Sequence, residues 1–301
     1  MAKGKEKKQE KFIDTLKNEL NFSRGWLTSA LLLNTGEIMD YNININGIDV
    51  HAGYSESVIE TIFKPLLLRL AEMRKTKNTT ILVMLAAPPG AGKSTLVSFL
   101  EYLAKDIIPE FKVQAIGMDG FHRRQEYLTE HTMTVDGKEV RMVDVKGCPE
   151  TFDLDKLRES IEGALAGTKK AWPTYDRHLH NPVEDAIKLD ADILLLEGNY
   201  LLLDAPGWDE LASLADYTIK ITADPEMLRT RLIDRKEKSG NSREKAEQFV
   251  DFSDMRNVRL CLDHSKRADL ELQLAYDNNY MTKKNEISPQ NPFYYRHNRV
   301  K

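Results

Sequence analysis

A short apolar run at residues 81–85 gives way to Ala87-Pro88-Pro89-Gly90-Ala91-Gly92-Lys93-Ser94-Thr95, and a helix-spaced apolar segment follows over 96–103. Strand, glycine-bearing loop, then helix: that order constrains the fold more than any other stretch of the chain. The glycines let successive backbone N–H groups curl around phosphate oxygens, and the helix turns its positive end toward them. Lys93 is placed to reach β- and γ-phosphates, and the Ser94 hydroxyl is a ligand for Mg²⁺. Gly90, Ala91, Gly92, Lys93, Ser94 and Thr95 are therefore the candidate nucleotide-binding residues. Ala87 stands where the common pattern begins with glycine, at a position that needs only a small residue. The loop alone does not separate a kinase from a GTPase, a helicase or a transport ATPase.

Strand-like runs recur at 113–118, 193–197, 217–222 and 269–276, with helical stretches between them. Such alternation predicts an α/β fold, a mostly parallel five-stranded sheet with helices packed on its faces. Asp224 before Pro225 reads as an N-cap, and Gly167 and Gly240 as helix ends. Residues 1–80 read as an extension to a domain spanning 81–278. Phe12, Ile13, Leu16 and Leu20 repeat at helical spacing, and residues 41–52, with apolar positions flanking Asn46-Gly47, predict a β-hairpin. Ser57 and Glu60 have capping-box spacing ahead of a helix that Pro65 should kink, and 75–80 reads as a linker. A second hairpin is expected within 129–145, folded at Asp136-Gly137 and overhanging an acceptor pocket. The segment 279–301 has little periodicity and reads as a tail.

Composition closes off several functions. With 43 Lys+Arg against 47 Asp+Glu and a net charge of −4, nothing demands nucleic acid. No apolar stretch approaches the roughly 20 residues that span a bilayer. The lysine-rich start is not followed by an apolar export core, and Cys148 and Cys261 are too few for a disulfide framework, so a reducing cytoplasm is the expected compartment.

Two carboxylates close predicted strands, at the sheet edge where ligands of open α/β folds sit. Asp119, in Met118-Asp119-Gly120-Phe121-His122-Arg123, is a candidate base toward an acceptor hydroxyl, with a plain turn aspartate as the alternative. Glu197, in Glu197-Gly198-Asn199-Tyr200, is a candidate for the Mg²⁺ shell, with a surface glutamate as its alternative. The helix after Asp224 carries Arg229, Arg231 and Arg235; the last two share a face by their spacing and suit a lid over phosphates, near 229–245, as well as they suit a solvated face. Asp254 and Asn257 are expected at the adenine end.

Taken in order, APPGAGKST, MDGFHR, KGCPETFD, WPTYDRHLHNPV and LLLEGNYLLL resemble the P-loop kinase superfamily of uridine kinases, phosphoribulokinases and bacterial-type pantothenate kinases, and most of all its fructose-transport-associated branch. The resemblance implies the three-layer P-loop NTPase fold, ATP as phosphoryl donor with Mg²⁺, a small-molecule acceptor and a homodimer. It implies Asp119, Lys93, Glu197 and Arg235 as catalytic residues, Arg231 as a nucleotide contact, and Ser94 and Glu197 at the metal. The Pro173-Thr174-Tyr175-Asp176 string with His180 is similar to the base-contacting motif of uridine kinases, which implies His122, Arg123, Tyr175, Arg177 and His180 at the acceptor. Pro182 replaces an arginine common in that motif, and KGCPETFD is closer to pantothenate kinases, so the acceptor stays open between a sugar or polyol and a nucleoside. The competing reading is a regulatory nucleotide-binding module without an acceptor.

Overall fold

The computed structural model describes residues 38–45 and 48–283. The predicted helix near Phe12–Leu20, the Asn46-Gly47 turn and the end of the tail fall outside them. The described chain opens with strands β1 (Ile38–Ile45) and β2 (Ile48–Ser55), paired antiparallel from Ile38↔Ser55 to Ile45↔Ile48. Next comes a helix whose cap is Ser55 rather than Ser57: the Ser55 hydroxyl accepts from the Val58 N–H, while the Ser57 carbonyl accepts from Thr61 Oγ1. Its second turn, Ile59–Phe63, is π-type, and the Lys64 N–H bonds to the Ile59 carbonyl. The wide turn sits directly before Pro65, which has no N–H to donate, so α1 (Lys64–Lys77) starts with the proline at its first turn, where a missing donor costs little. The helix also consumes most of the expected linker, ending at Asn78 in the left-handed conformation.

The central sheet has six strands in the order β12-β11-β10-β3-β9-β4. β3 (Ile81–Ala86) lies at its middle, parallel to β9 (Ile193–Gly198) on one side and β10 (Tyr217–Thr222) on the other. β4 (Val113–Gly117) and β11 (Leu270–Leu274) extend it in parallel. The sixth strand, β12 (Tyr280–Thr282), is an antiparallel addition to the five expected, so β11 is not the edge. Side chains of β3 divide by parity: Ile81, Val83 and Leu85 enter one apolar cluster, Leu82, Met84 and Ala86 the other. Burial on both faces explains why this strand is an unbroken apolar run instead of an alternation.

The first cluster holds α1, α2 (Lys93–Ile107) and the N-terminal hairpin. Tyr41 and Tyr54 sit 5.2 and 4.4 Å from the Phe99 ring, and Tyr54 also stacks toward Tyr280 of β12. The second cluster holds α4 (Leu154–Leu165) with Trp172 and Trp208, both buried among aromatic neighbours. Between β4 and α4 come the short α3 (Gln125–Glu130) and the hairpin β5 (Thr132–Val135) and β6 (Lys138–Arg141), which turns at Asp136-Gly137. Asp136 at its tip pairs with Arg256 at 2.5 Å. A further hairpin, β7 (Ala171–Asp176) and β8 (Asn181–Lys188), lies over the end of β4. The remaining helices are α5 (Pro225–Lys238), capped by Asp224, α6 (Arg243–Phe249) and α7 (Met255–Asp263). Among the described residues no helix is long and apolar enough to cross a membrane.

Candidate active site

The loop after β3 enters α2 through Gly92, whose φ of +76° is left-handed and costs glycine nothing. Gly92 brings no side-chain cap, so the first-turn N–H groups of α2 are left facing the loop. Leu232 of α5 packs on the loop, 3.2 Å from where a Cβ on Gly90 would stand. Phosphate oxygens would thus meet backbone donors and the helix's positive end together.

The two strand-end carboxylates converge here. Ser94 Oγ donates to Glu197 Oε1 at 2.6 Å, and Lys93 Nζ lies 3.9 Å from Glu197 Oε2. That Oε2 is buried without a hydrogen-bond partner. A hydroxyl and a buried carboxylate with a spare oxygen are hard donors that suit Mg²⁺. Among the described residues no three His, Cys, Asp or Glu side chains gather elsewhere for a metal, so an ion held by Ser94 and Glu197 would draw its other ligands from phosphates and water. Burial pushes the Glu197 carboxyl up, Lys93 opposes that, and the negative charge of Asp119 adds to it.

Asp119 sits in the single turn Met118–Phe121 after β4. Gly120 is required there: a Cβ would stand 2.4 Å from the Pro173 carbonyl oxygen of β7. Protein surrounds the carboxylate, yet solvent still reaches it, as in a cleft. Burial pushes it up, but His122, Lys93, Arg177 and Arg235 together outweigh burial and hold it below the usual carboxylate range. The His122 ring is itself pushed down by burial and hydrogen-bonds the Asp119 carbonyl at 2.9 Å through Nδ1. Asp119, Lys93, Glu197, Ser94, His122, Tyr175, Arg177 and Arg235 thus act on one cleft. A small cavity of about 120 Å³ lies between the start of α2, β4 and β7, lined by Ser94, Asp119, Thr174, Tyr175 and Glu197 among others.

Three sequence candidates lie differently. Arg123 engages Asp153 at 3.9 Å and the Tyr127 ring at 4.8 Å. His180 gives its carbonyl to Lys146 at 2.9 Å while its side chain is exposed. Arg231 is on the far side of the loop, bonded to Asn278 Oδ1 at 2.6 Å. There it lines a second cavity of about 380 Å³ with Ala91, Gly92, Thr95, Tyr54 and Tyr280. Asp254 and Asn257 are not at that end. Asp254 lies 3.5 Å from Lys236 and is felt by Arg235, and Asn257 is beside Gly147. Asp277 and Asn278, in the turn between β11 and β12, line that cavity instead. The site residue the sequence reading passed over is Lys146, present in the KGCPETFD string; its ammonium also sits 4.9 Å over the Tyr175 ring.

Comparison with known proteins supplies the family. No model of a known protein family matches the chain. The Escherichia coli "Uncharacterized protein YggC" is 40% identical over 243 residues, spanning 80% of this chain and 98% of that one. A Schizosaccharomyces pombe protein named "Putative uridine kinase" is 30% identical, covering 68% and 87%. Among solved structures, the "putative fructose transport system kinase" of Silicibacter sp. TM1040 superposes with a TM-score of 0.61 at 27% identity, covering 70% of this chain and 98% of that one.

Proposed function

We propose, from the premise that the chain belongs to the P-loop kinases of the uridine kinase, phosphoribulokinase and pantothenate kinase type, that it transfers the γ-phosphoryl group of ATP to a hydroxyl of a small metabolite, a sugar or polyol before a nucleoside. The observation that carries this reading is Asp119: a carboxylate at the mouth of the loop after β3, lining the small cavity with Ser94 and Glu197, and held low against its burial by His122, Lys93, Arg177 and Arg235. An ionised carboxylate there accepts the proton of an acceptor hydroxyl as the oxygen attacks.

The other groups follow from position. The Gly90–Thr95 backbone would cradle the phosphates, Lys93 would follow the charge on the β- and γ-oxygens, and Arg235 would stabilise the moving phosphoryl group from α5. Ser94 and Glu197 would hold Mg²⁺, which when bound neutralises phosphate charge and fixes the phosphates in line. Volume supports one place for the donor's base. Ligand pockets typically begin near ~300 Å³, so the 380 Å³ cavity beside Arg231 and Asn278 admits a nucleoside moiety and the 120 Å³ cavity beside Asp119 does not. The N-terminal hairpin forms the outer wall of that larger cavity through Asp40 and His51 to Tyr54, giving the extension a place in nucleotide binding.

The test is Mg²⁺-dependent ADP formation across pooled sugars, polyols, sugar acids, vitamins and nucleosides, with products identified by mass. Asp119→Asn should lower kcat by on the order of 10²–10⁴ and leave nucleotide affinity nearly intact. Turnover at the parental rate in Asp119→Asn would remove Asp119 from the base role, and nucleotide hydrolysis indifferent to every acceptor would favour a regulatory module.

A further inference from the structure

No loop joins α6 to α7. Phe249 runs straight into a π-type turn, Val250–Asp254, and Met255 continues from it as α7, its N–H bonding to the Val250 carbonyl. Such a turn departs from the α repeat and is frequent at functional sites. Here it sorts its side chains: Val250 and Ser253 are buried, Phe252 is exposed, and two carboxylates, Asp251 and Asp254, engage the neighbouring helix.

That helix is α5. Arg229 holds Asp251 by two hydrogen bonds, from Nε to Oδ1 at 2.7 Å and from Nη2 to Oδ2 at 2.8 Å. Seven residues on, along the same helix face, Lys236 lies 3.5 Å from Asp254 Oδ2 and 3.6 Å over the Phe249 ring. Asp251 is exposed and its pair is a weak source of stability. Asp254 differs, being 8% exposed, with an Oδ2 that is shut from water and accepts no hydrogen bond. A carboxylate buried in that way is costly unless cations compensate it. The compensating cations are Lys236 and Arg235, consecutive on α5, which both oppose the upward push of burial on the Asp254 carboxyl.

Arg235 therefore acts on two carboxylates, Asp254 of the π-type turn and Asp119 of the cleft. Among the described residues no ion pair ties its guanidinium down. A side chain held by no partner of its own is aimed by the helix that carries it, and α5 is held on the π-type turn at both Arg229 and Lys236. The aim matters, because a displacement of about 1 Å can cost on the order of 10² in rate.

We propose that Asp254 is a positioning residue: with Asp251 it fastens the face of α5 that carries Arg229 and Lys236 to the π-type turn, and so fixes where Arg235 enters the cleft. The proposal rests on the kinase reading for what Arg235 does to a phosphoryl group, and not for how α5 is held.

A double-mutant cycle on the full chain tests it, with ADP formation from ATP and Mg²⁺ followed in the presence of the pooled hydroxyl compounds. Asp254→Asn should lower kcat by about tenfold, and by less than about twofold when Arg235→Ala is already present. Affinity for a fluorescent nucleotide should not change, and Asp254→Glu should recover part of the rate. Asp251→Asn, at an exposed position, is the variant that spares folding; it should lower kcat by about threefold, again only while Arg235 is present. Independently of turnover, the ¹⁵N signal of the Arg235 guanidinium, assigned by its loss in Arg235→Ala, is recorded with Mg²⁺ and a non-hydrolysable ATP analogue bound. It should shift or broaden in Asp254→Asn. A loss of kcat that is equal in both backgrounds and follows a fallen melting temperature marks Asp254 as packing alone and overturns the proposal, as does an Arg235 signal that Asp254→Asn leaves in place. A signal that moves while no compound in the pool is phosphorylated sustains the positioning of Arg235 and instead overturns the kinase reading.

Discussion

The two sides of the phosphate loop are built on opposite plans. On the hairpin side, Arg231 is bonded to Asn278, Asp277 accepts from Asn279, Tyr54 and Tyr280 are packed against each other, and the cavity is wide. On the Asp119 side the cavity is narrow, Glu197 and Arg177 each bury a polar atom without a partner, and charges of both signs crowd together. A side whose groups are already satisfied gains shape on binding. A side left electrostatically incomplete gains compensation, and there differential stabilisation of a transition state is available. α5 spans both: Arg231 and Arg235, one helical turn apart, straddle the loop.

That division can be broken in order of effect. Arg235→Ala should lower kcat by about 10²–10³, the scale of losing one preorganised donor to developing charge, while nucleotide affinity from a fluorescent-nucleotide titration stays within about twofold. Arg231→Ala should do the converse, weakening nucleotide binding by about tenfold, roughly the 1.4 kcal/mol worth of a charge-assisted contact, with kcat at saturation little changed. Equal effects from the two variants in steady-state kinetics would dissolve the distinction. The smallest effect is in pH. Burial pushes the Lys146 ammonium down to about 8, with Glu126 working against that. Tyr175, Gln125 and the His180 carbonyl surround it, His122 is near, and none of these supplies an ion pair. A lowered lysine loses its charge as pH rises, so the acceptor KM should climb by about threefold between pH 7 and 9, and Lys146→Met should flatten that climb.

The sequence is most transparent where the chemistry is local. Gly92, Lys93 and Ser94 carry their geometry in consecutive positions, and Asp119 and Glu197 announce themselves by ending apolar strands. Parity along β3 was hidden by burial on both faces, but its strand character was not. The β7–β8 hairpin was opaque because Pro173 and Pro182 break strand patterns, and the register shifts between Trp172 and Thr174. β12 is three residues recruited by an open sheet edge, too few to carry a period. Asp254 and Asn257, expected at the adenine end, line neither cavity, because a helix pattern shows spacing but not which side of a loop the helix will take. Lys146 went unselected because its isolation from carboxylates is a property of the fold.

The placement of β3 has a consequence for how the molecule is made. Its entry is fixed by the Thr80 hydroxyl on the Ala191 carbonyl, 111 positions on, and by the Leu82 N–H on Asp216, 134 positions on. A strand whose neighbours on both sides are that distant cannot be seated early, because the entropy of closing those loops comes before any sheet contact repays it. As the chain leaves the ribosome, the phosphate loop emerges well ahead of Tyr217–Thr222 and has no scaffold until that strand has emerged. On the kinase reading, nucleotide binding would therefore be a late acquisition of the nascent chain, and a nucleotide that recognises only the finished sheet would favour molecules whose assembly is complete.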